Sequence, residues 1–493
     1  LYLEMHRGTF TTKSNLKKAN RTLEFKLRET ELRAALASLT GASYPSEELT
    51  ECYKKFLLNQ FHDILPGSHI HPVYEDAMND YRNVSERLDA MLASTAGNEY
   101  FNSLNFTRSA ITFIEDENGN VTRHGVKGFW SIPALAGLST GTVTVLPSKE
   151  EWLSSKFCDV CNCLVVETPY YRAKLSNDGS FVSLYDKELD REWVKEGCGF
   201  NKLHLYADNP GMYDAWDILP NYKDVQITLN VDKPLALVSS DGSSAEFAVT
   251  FTTEKSTWKM ILRFFADSRA IEVENVVDWD EKHKLVKVNF GPDVLTRELV
   301  CDTSAGFVKR DLTKNTSWQQ ARFEVCHHKW CDMSESGSGI AIINEGKYGV
   351  GLEKDEISLS LLRATIRPDI TSDIGHHDFC YTILPHSGDA VEAQVNKTAM
   401  EYNVPLCKSN VTVPAALRDT LNNCGLYLQA MKRSEDGQYL ILRLSEQDGR
   451  RGKIAFPFEV QTMNLIEDIE GNTKVVSYHP FELITVAVKP EDL

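Results

Sequence analysis

The hydrophobic periodicity of the sequence changes once, near Gly97, and this change constrains the fold more than any other feature. In residues 12–96 apolar side chains recur at three- and four-residue spacing, which is the period of an amphipathic helix. Residues 99–493 consist of short runs rich in Val, Ile, Thr, Phe and Tyr, separated by Gly, Asn, Asp and Pro. Such runs are typical of antiparallel β-sandwiches. The sequence therefore predicts an α+β multidomain protein with its helices first.

Three helices are predicted in the first part of the chain. The first carries Leu16 on its apolar face, the second begins at Ser46 as a favourable N-cap, and the third has Val84 and Leu88 near heptad spacing. Short loops between them favour an antiparallel three-helix bundle. We interpret the near-heptad seam as the bundle core and not as a surface for a partner.

The strand-rich part is too long for one sandwich, so several β-domains are predicted. The strand-like runs include residues 141–146, 247–253 and 357–362. The predicted divisions are a short strand and loop at 1–11, the helical bundle at 12–97, a small β-domain at 98–150, a large β-sandwich at 151–395 and a C-terminal β-domain at 396–493.

Composition narrows the classes of partner. The net charge of −17 argues against nucleic acid and anionic membranes, which both require a basic surface. No apolar run approaches the ~20 residues of a membrane-spanning helix. The 11 cysteines show no framework spacing, so we expect free thiols in a reducing compartment, the cytoplasm. Cys158, Cys161 and Cys163 lack a second cysteine pair or a nearby histidine, so we interpret them as structural and not as zinc ligands.

Phe61-His62-Asp63 lies where the second predicted helix ends, just before Pro66 and Gly67. A helix end is a rigid place for a metal ligand or a sugar-binding carboxylate. An ordinary pair of polar residues at a helix terminus explains the same pattern, and local chemistry alone favours that explanation.

Two later segments also have side chains suited to binding a sugar. Asp214 and Asp217 flank Trp216, a combination that suits aromatic stacking on a sugar ring with carboxylates accepting from its hydroxyls. A surface turn around a buried tryptophan is the alternative. Period two places His377 and Tyr381 on one face of a strand, where they border a ligand cleft or form a hydrogen-bonded sheet face. Nothing in the sequence matches a Walker loop, a nucleophile elbow or a HExxH helix.

Seven separated segments, in order along the chain, resemble the family 38 glycoside hydrolases, the class II α-mannosidases, and most closely their cytosolic, vacuolar and bacterial members. The segments are LYLEMHRGTFTT (1–12), NQFHDILPGS (59–68), YFNSLNFTR (100–108), YDAWDI (213–218), NTSWQQARFEVCHHKWCDMSE (315–335), KYG (347–349) and DIGHHDFCYTILPH (373–386).

The resemblance implies a retaining, exo-acting α-mannosidase with one zinc ion. The fold it implies is an N-terminal α/β barrel, a three-helix bundle and C-terminal sandwiches, with a galactose-mutarotase-like large sandwich. Residues 1–11 then match the end of the barrel. His62 matches the fourth zinc ligand, whose three partners come from the barrel, and Asp63 matches a carboxylate that binds sugar hydroxyls. Glu4 lies near the region of the family's acid/base residue, and we add Asp217 and His377 as substrate contacts.

On this resemblance we predict the C-terminal portion of an enzyme that removes terminal α-D-mannose from oligosaccharides. The chain as given holds no nucleophile and one zinc ligand, so we expect it to be inactive alone. The alternative is a non-catalytic carbohydrate-binding or oligomerisation module, since sandwich surfaces also join subunits into homo-oligomers. A hydrolase acting on another sugar is a third hypothesis.

Overall fold

Helices fill the N-terminal part of the chain and strands the remainder, as the sequence predicts. The structure is a computed structural model that describes residues 4–353 and 355–493. The α-helices are α1 (Ser14–Leu39), α2 (Ser46–Leu58), α3 (His71–Ala93), α4 (Ser317–Ala321), α5 (Val395–Asn403) and α6 (Ala415–Leu421). Short 3-10 helices span Glu4–Phe10, Tyr222–Asp224 and Pro490–Asp492.

The predicted strand within residues 1–11 is wrong over its described part. Residues 1–3 lie outside the described residues, and Glu4–Phe10 is a 3-10 helix. Its hydrogen bonds are local, because the Thr9 hydroxyl donates to the carbonyl of His6 at 2.5 Å and the Thr12 amide to that of Gly8 at 3.0 Å. Residues 4–10 therefore form local helical turns, and among the described residues no strand pairs with them.

The strands form six sheets and are numbered along the chain. Strands β1–β5 are Glu99–Asn102, Thr112–Glu115, Val121–Arg123, Val126–Ser131 and Ser139–Gly141. Strands β6–β10 are Ser154–Cys158, Cys163–Glu167, Tyr171–Leu175, Phe181–Asp186 and Arg191–Glu192. Strands β11–β19 are Phe200–Ala207, Gln226–Ile227, Asn230–Ser240, Ser244–Thr252, Thr257–Phe265, Ile271–Trp279, Lys284–Phe290, Glu298–Thr303 and Gly306–Asp311. Strands β20–β25 are Glu324–Cys326, Trp330–Glu335, Ser338–Asn344, Gly349–Leu352, Ile357–Ala364 and Gly375–Ser387. Strands β26–β31 are Cys407–Ser409, Tyr427–Arg433, Leu440–Ser445, Gly452–Met463, Ile469–Tyr478 and Leu483–Val488.

Pairing between strands is antiparallel throughout the described sheets. The largest sheet has nine strands in the order β13-β14-β15-β16-β25-β22-β21-β18-β19 and shares one core with the six-stranded sheet β12-β11-β17-β24-β23-β20 and the five-stranded sheet β10-β9-β8-β7-β6. Phe200, Val273 and Leu359 are among the residues of that core. A second five-stranded sheet, β27-β28-β31-β29-β30, ends the chain, and two three-stranded sheets, β2-β4-β3 and β26-β1-β5, complete the set.

Two details differ from the sequence prediction. Of the predicted strand at 141–146, only Gly141 lies in a strand. The following residues meet β4 through isolated hydrogen bonds and not through a continuous ladder. One of these bonds runs from the Leu146 amide to the carbonyl of Trp130 at 3.0 Å. Cys161 and Cys163 form a disulfide in the tight turn between β6 and β7, where their Cα atoms lie 5.4 Å apart, so the prediction of free thiols is wrong for this pair.

Helix α1 is the centre of the helical part. Its Leu16, Leu23 and Leu27 pack in the bundle core against α2 and α3, as predicted. Its far end carries Leu32 and Leu36 into a second core with the C-terminal sheet. Both faces of α1 are therefore buried, and this helix joins the bundle to the last β-domain. No helix of the described residues is long and apolar enough to cross a membrane.

Glu31 lies at the junction between α1 and the C-terminal sheet, where it accepts a hydrogen bond from the Tyr53 hydroxyl at 3.2 Å. Burial raises the pKa of this carboxyl to about 7. The nearby Lys432 charge lowers the pKa, but by too little to restore its usual value. The folded chain thus holds a proton that the unfolded chain releases above about pH 4.5. The stability that Glu31 contributes is complete below that pH and is lost as the pH rises towards 7.

We expect the substitution Glu31→Gln to remove this dependence, because the amide carries no charge at any pH. Between pH 5.5 and 7.5 the variant should gain about 2 kcal/mol of unfolding free energy relative to the unmodified chain. Denaturant unfolding at both pH values measures this difference. Glu86→Gln, on an exposed part of α3, is the matched control. Equal pH profiles for Glu31→Gln and the unmodified chain would contradict the assignment.

Candidate functional site

His62 and Asp63 lie in a series of turns that follows the end of α2 at Leu58. The His62 side chain is 76% exposed, and its Nε2 lies 3.4 Å from Oδ2 of Asp63, whose side chain is 43% exposed. The Phe61 ring packs on the imidazole with their centroids 4.0 Å apart. The two residues are thus side by side and accessible, as a metal ligand and a sugar-binding carboxylate need to be.

The loop that carries them, residues 59–68, is fixed to α1 by polar contacts. Lys17 Nζ donates to the carbonyls of Leu65 at 2.9 Å and Pro66 at 3.1 Å. Burial lowers the pKa of the Lys17 ammonium to about 7. Within the loop, the Ser68 hydroxyl donates to Oδ1 of Asp63 at 2.9 Å. The exposed His62 is therefore held by a segment fixed to α1, and its ring packs on Phe61 alone among the aromatic rings of the described residues.

Gly67 permits the closest approach of this loop to the start of α1. Its φ is +90°, a conformation that side chains disfavour. A Cβ atom there would lie 2.7 Å from the carbonyl oxygen of Thr12 and 2.8 Å from Cγ of Lys13. The first of these neighbours is backbone and has little freedom to move, so only glycine fits.

Asp217 takes part in anchoring the N-terminal segment. Its Oδ1 accepts from Nη1 of Arg7 at 3.0 Å and from the amide of Ile218 at 2.9 Å. The Arg7 guanidinium also lies 4.4 Å from the centroid of the Phe323 ring. Beside this pair, the Gly8 amide donates to the carbonyl of Trp216 at 2.8 Å. The carboxylate predicted to contact sugar is therefore already engaged by an arginine of the same chain.

His377 is a buried positioning residue. Its side chain lies in β25, the residue is 1% exposed, and its Nε2 is 2.7 Å from the carbonyl oxygen of Asp373. Burial lowers the pKa of this imidazole, which favours the neutral ring. The Asp373 carboxylate in turn accepts from the amides of Lys13 at 2.7 Å and Ser14 at 2.6 Å. His377 thus supports the residue that caps α1 instead of facing solvent.

The predicted site residues are therefore only partly brought together. His62 and Asp63 are adjacent, whereas Asp217 pairs with Arg7 and His377 contacts the carbonyl of Asp373. Glu4 is exposed at the beginning of its 3-10 helix. The catalytic and binding roles of all five residues stay predictions.

A zinc ion at His62 requires more donors than its surroundings supply. Zinc in proteins takes four ligands, and His62 with Asp63 offers two side chains. Within residues 4–353 and 355–493, the one group of three His, Cys, Asp or Glu ligand atoms within 4.8 Å of one another is His124, Glu345 and Cys380, elsewhere in the fold. The described residues alone do not form a complete zinc site at His62. The second group has no signal in the sequence, because its members are far apart along the chain.

Three family models match successive parts of this fold. The alpha mannosidase middle domain matches residues 4–98, the glycosyl hydrolases family 38 C-terminal domain matches 166–371, and the family 38 C-terminal beta sandwich domain matches 425–486. A helical bundle followed by antiparallel sandwiches, matched in this order, defines a chain of the glycoside hydrolase class. The chain belongs to glycoside hydrolase family 38, which confirms the resemblance seen in the sequence.

Curated relatives agree with this assignment. Alpha-mannosidase 2C1 of Homo sapiens is 29% identical over 91% of this chain and 45% of its own length. The Alpha-mannosidase of Saccharomyces cerevisiae is 31% identical over 82% of this chain and 37% of its own length. Alpha-mannosidase G of Dictyostelium discoideum is 26% identical over 98% of the chain and 52% of its own length. The chain thus spans about half the length of the curated relatives it matches.

A solved structure supports the fold. The crystal structure of an alpha-mannosidase from Enterococcus faecalis V583 superposes with a TM-score of 0.75 over 98% of this chain and 68% of that chain, at 14% sequence identity. At this identity the likeness concerns the arrangement of bundle and sandwiches and not the identity of individual site residues.

The loop at 59–68 gives a test of how His62 is positioned. We expect Gly67→Ala to destabilise the chain by about 1–3 kcal/mol more than Gly41→Ala, because the new Cβ meets the Thr12 carbonyl. Gly41 is the matched control, since its φ of +98° imposes the same backbone strain with nothing within 4 Å of its Cβ position. Unfolding free energies and proteolysis within 59–68 measure the effect. Equal losses in the two variants would show that the contact with Thr12 is unimportant.

Proposed function

We propose that this chain is the middle and C-terminal portion of a retaining, zinc-dependent exo-α-mannosidase that hydrolyses terminal α-D-mannose of oligosaccharides. The observation that carries the proposal is the exposed His62-Asp63 pair, held on a rigid loop in a chain of family 38. His62 donates one ligand to the zinc ion, and Asp63 accepts from sugar hydroxyls. The remaining ligands come from polypeptide other than these 493 residues.

The surface around His62 supports a shared site. Leu57, Leu58, Phe61 and Ile70 are each more than half exposed on the segment that carries His62. Apolar side chains exposed this close together mark a surface that another protein surface covers. A catalytic domain seated there would bring its carboxylates and metal ligands to His62 while burying these side chains.

The isolated chain is inactive on this proposal. Retaining hydrolysis needs two carboxyl groups about 5–5.5 Å apart on either side of the glycosidic bond. Beside His62 the described residues offer Asp63, whose Oδ1 accepts from Ser68. Asp217, already paired with Arg7, is committed to the fold. Glu4 stays the candidate acid/base residue. Testing this role requires a protein that also contains the catalytic domain.

The proposal also specifies the substrates, the partners and the location of the protein. The substrates are α-mannosides and oligosaccharides, and the net charge of −17 argues against nucleic acid as a partner. We retain a cytoplasmic location and association into homo-oligomers through the sandwich surfaces as hypotheses. Fractionation of the cells and the mass of the purified protein in solution test them.

Turnover of an aryl α-mannoside tests the enzymatic proposal. We expect none above background from the 493-residue chain, and clear hydrolysis from the same chain extended at its N-terminus by a family 38 catalytic domain. Activity of the unextended chain that copurifies with the protein would contradict the division of the site. A lack of α-mannoside hydrolysis by the extended, folded protein would contradict the function itself.

The role of His62 has its own test in the extended protein. We expect His62→Ala to lower both the zinc content and the turnover by at least tenfold, because losing a metal ligand costs more than the 10–100-fold effect of losing a residue that hydrogen-bonds a ligand. His479→Ala, an exposed histidine that contacts Glu482 on the last sheet, is the control and should alter neither. Unchanged zinc content in His62→Ala would remove His62 from the metal site.

A further inference from the structure

A second cluster of side chains able to ligate a metal lies outside the loop that carries His62. The turn between β3 and β4 of the small β-domain places His124 over the nine-stranded sheet. There His124 Nε2 is 3.2 Å from Oε2 of Glu345 and 3.4 Å from Sγ of Cys380. Glu345 directly follows β22, and Cys380 lies in the adjacent strand β25. Three donors of different chemistry thus converge on one point from two β-domains.

We propose that His124, Glu345 and Cys380 form a transition-metal site for Zn²⁺, with the fourth position open to water, which joins the small β-domain to the large sandwich. This site is independent of the zinc proposed at His62. It has a structural role in holding the two β-domains together.

The distances suit tetrahedral coordination. Zinc bonds of about 2.0–2.1 Å to nitrogen, about 2.0–2.2 Å to oxygen and about 2.3 Å to sulfur place neighbouring ligand atoms roughly 3.3–3.6 Å apart. The separations of 3.2 Å and 3.4 Å measured from His124 Nε2 lie within a few tenths of an ångström of that range. All three ligand atoms lie within 4.8 Å of one another.

The surroundings orient the ligands. His124 Nδ1 lies 3.2 Å from Oδ2 of Asp378 and 3.6 Å from Oε1 of Glu274, and it has no hydrogen bond of good geometry. A carboxylate beside the second ring nitrogen is the usual partner of a metal-bound histidine, since it fixes the tautomer that directs Nε2 at the ion. The other oxygen of Glu345 is held by Arg123. Both oxygen and nitrogen ligands are therefore positioned by a second layer of charges.

The position of His124 is itself tied to the sheet below. Its φ is +50°, an unfavourable value for a residue with a side chain. Its amide donates to Oε1 of Glu274 at 2.7 Å, and the preceding Arg123 donates to Oε2 of Glu272 at 3.0 Å. These bonds offset the strain and keep the turn directed at Glu345 and Cys380. A strained residue held in this way is frequent where a ligand is bound.

The charge balance leaves room for a divalent cation. Carboxylates in the ion-pair network outnumber the lysine and arginine side chains by two, and the Cys380 thiolate of the metal-bound form raises this excess to three, of which Zn²⁺ neutralises two. The carboxylates are Glu246, Glu272, Glu274, Glu345 and Asp378, and the cations are Lys18, Arg123 and Arg263.

The donor set selects the metal. A thiolate, an imidazole and a carboxylate together favour Zn²⁺ over Mg²⁺ or Ca²⁺, which prefer oxygen alone. The His124 and Glu345 side chains are 15% and 17% exposed, so an ion can reach the site from solvent. Binding forms a bond to the Cys380 thiolate, and the thiol proton passes to solvent, so one proton is released for each ion bound through Cys380.

Cobalt(II) binding to the full chain under reducing conditions tests the site. His62→Ala serves as the parent protein, so that the first proposed metal site does not contribute. We expect one equivalent of Co²⁺ to give the near-ultraviolet thiolate-to-cobalt charge-transfer band and the visible bands of a tetrahedral ion, and Zn²⁺ to displace it. In this parent, Cys380→Ser should lose the charge-transfer band, and His124→Gln should bind Co²⁺ at least tenfold more weakly. Asp378→Asn should weaken Co²⁺ binding about 10–100-fold, because the carboxylate beside Nδ1 of His124 no longer orients the ring.

Cys331→Ser is the matched control, because Cys331 is equally buried in the same nine-stranded sheet and lies outside the cluster. It should keep the full cobalt spectrum. Zn²⁺ should also raise the unfolding temperature of the parent but not that of His124→Gln. This comparison tests the proposal even if Cys380→Ser does not fold.

The absence of a thiolate-to-cobalt band in the folded parent, or its persistence in both Cys380→Ser and His124→Gln, would overturn the proposal. Activity of the extended enzyme on α-mannosides should be unchanged in Cys380→Ser, which separates this outcome from failure of the proposed function.

Discussion

The Asp373 carboxylate at the start of α1 is the interaction on which the arrangement of the chain depends. Its two oxygens accept from the amides of Lys13 and Ser14, which have no partner within the helix. The negative charge also meets the positive end of the helix dipole. Because Asp373 belongs to the large sandwich and Ser14 to the bundle, this single cap fixes how the two are joined. Lys13 strengthens the junction through a buried ion pair with Asp369, and His377 holds Asp373 from below.

The location of the candidate zinc ligand follows from this junction. Once the start of α1 is fixed on the sandwich, Lys17 donates hydrogen bonds to carbonyls of the 59–68 loop, and Gly67 lets that loop approach Thr12. His62 is then presented outwards on a segment that has little freedom. The same N-terminal residues are held by the ion pair of Arg7 with Asp217. Asp217 and His377, which the sequence suggested for sugar binding, thus take part in holding the start of the chain on the sandwich, and His62 and Asp63 are left accessible.

Much of the fold could be predicted because its signals are local. Leu16, Val84 and Leu88 are buried in the bundle core, as their spacing predicts, and the strand-rich composition after Gly97 does produce antiparallel sheets. The prediction failed where local pattern and tertiary contact conflict. Glu4–Phe10, within the predicted strand and loop at 1–11, forms a 3-10 helix, and the run at 141–146 lies beside β4 without a continuous ladder. The roles of Asp217 and His377 were equally hidden, since a carboxylate or an imidazole does not reveal its distant partner.

The sequence by itself determined the helical and strand periods, the pair His62-Asp63 at a helix end and, through seven ordered segments, the family. These features are encoded in neighbouring residues or in long stretches of similarity. Only the tertiary structure decided that Asp373 caps a helix about 360 residues earlier, that Asp217 is paired with Arg7, and that His124 meets Glu345 and Cys380. The physical reason is that such contacts arise from the packing of whole sheets and helices, and the residues on either side of each partner carry no trace of the other.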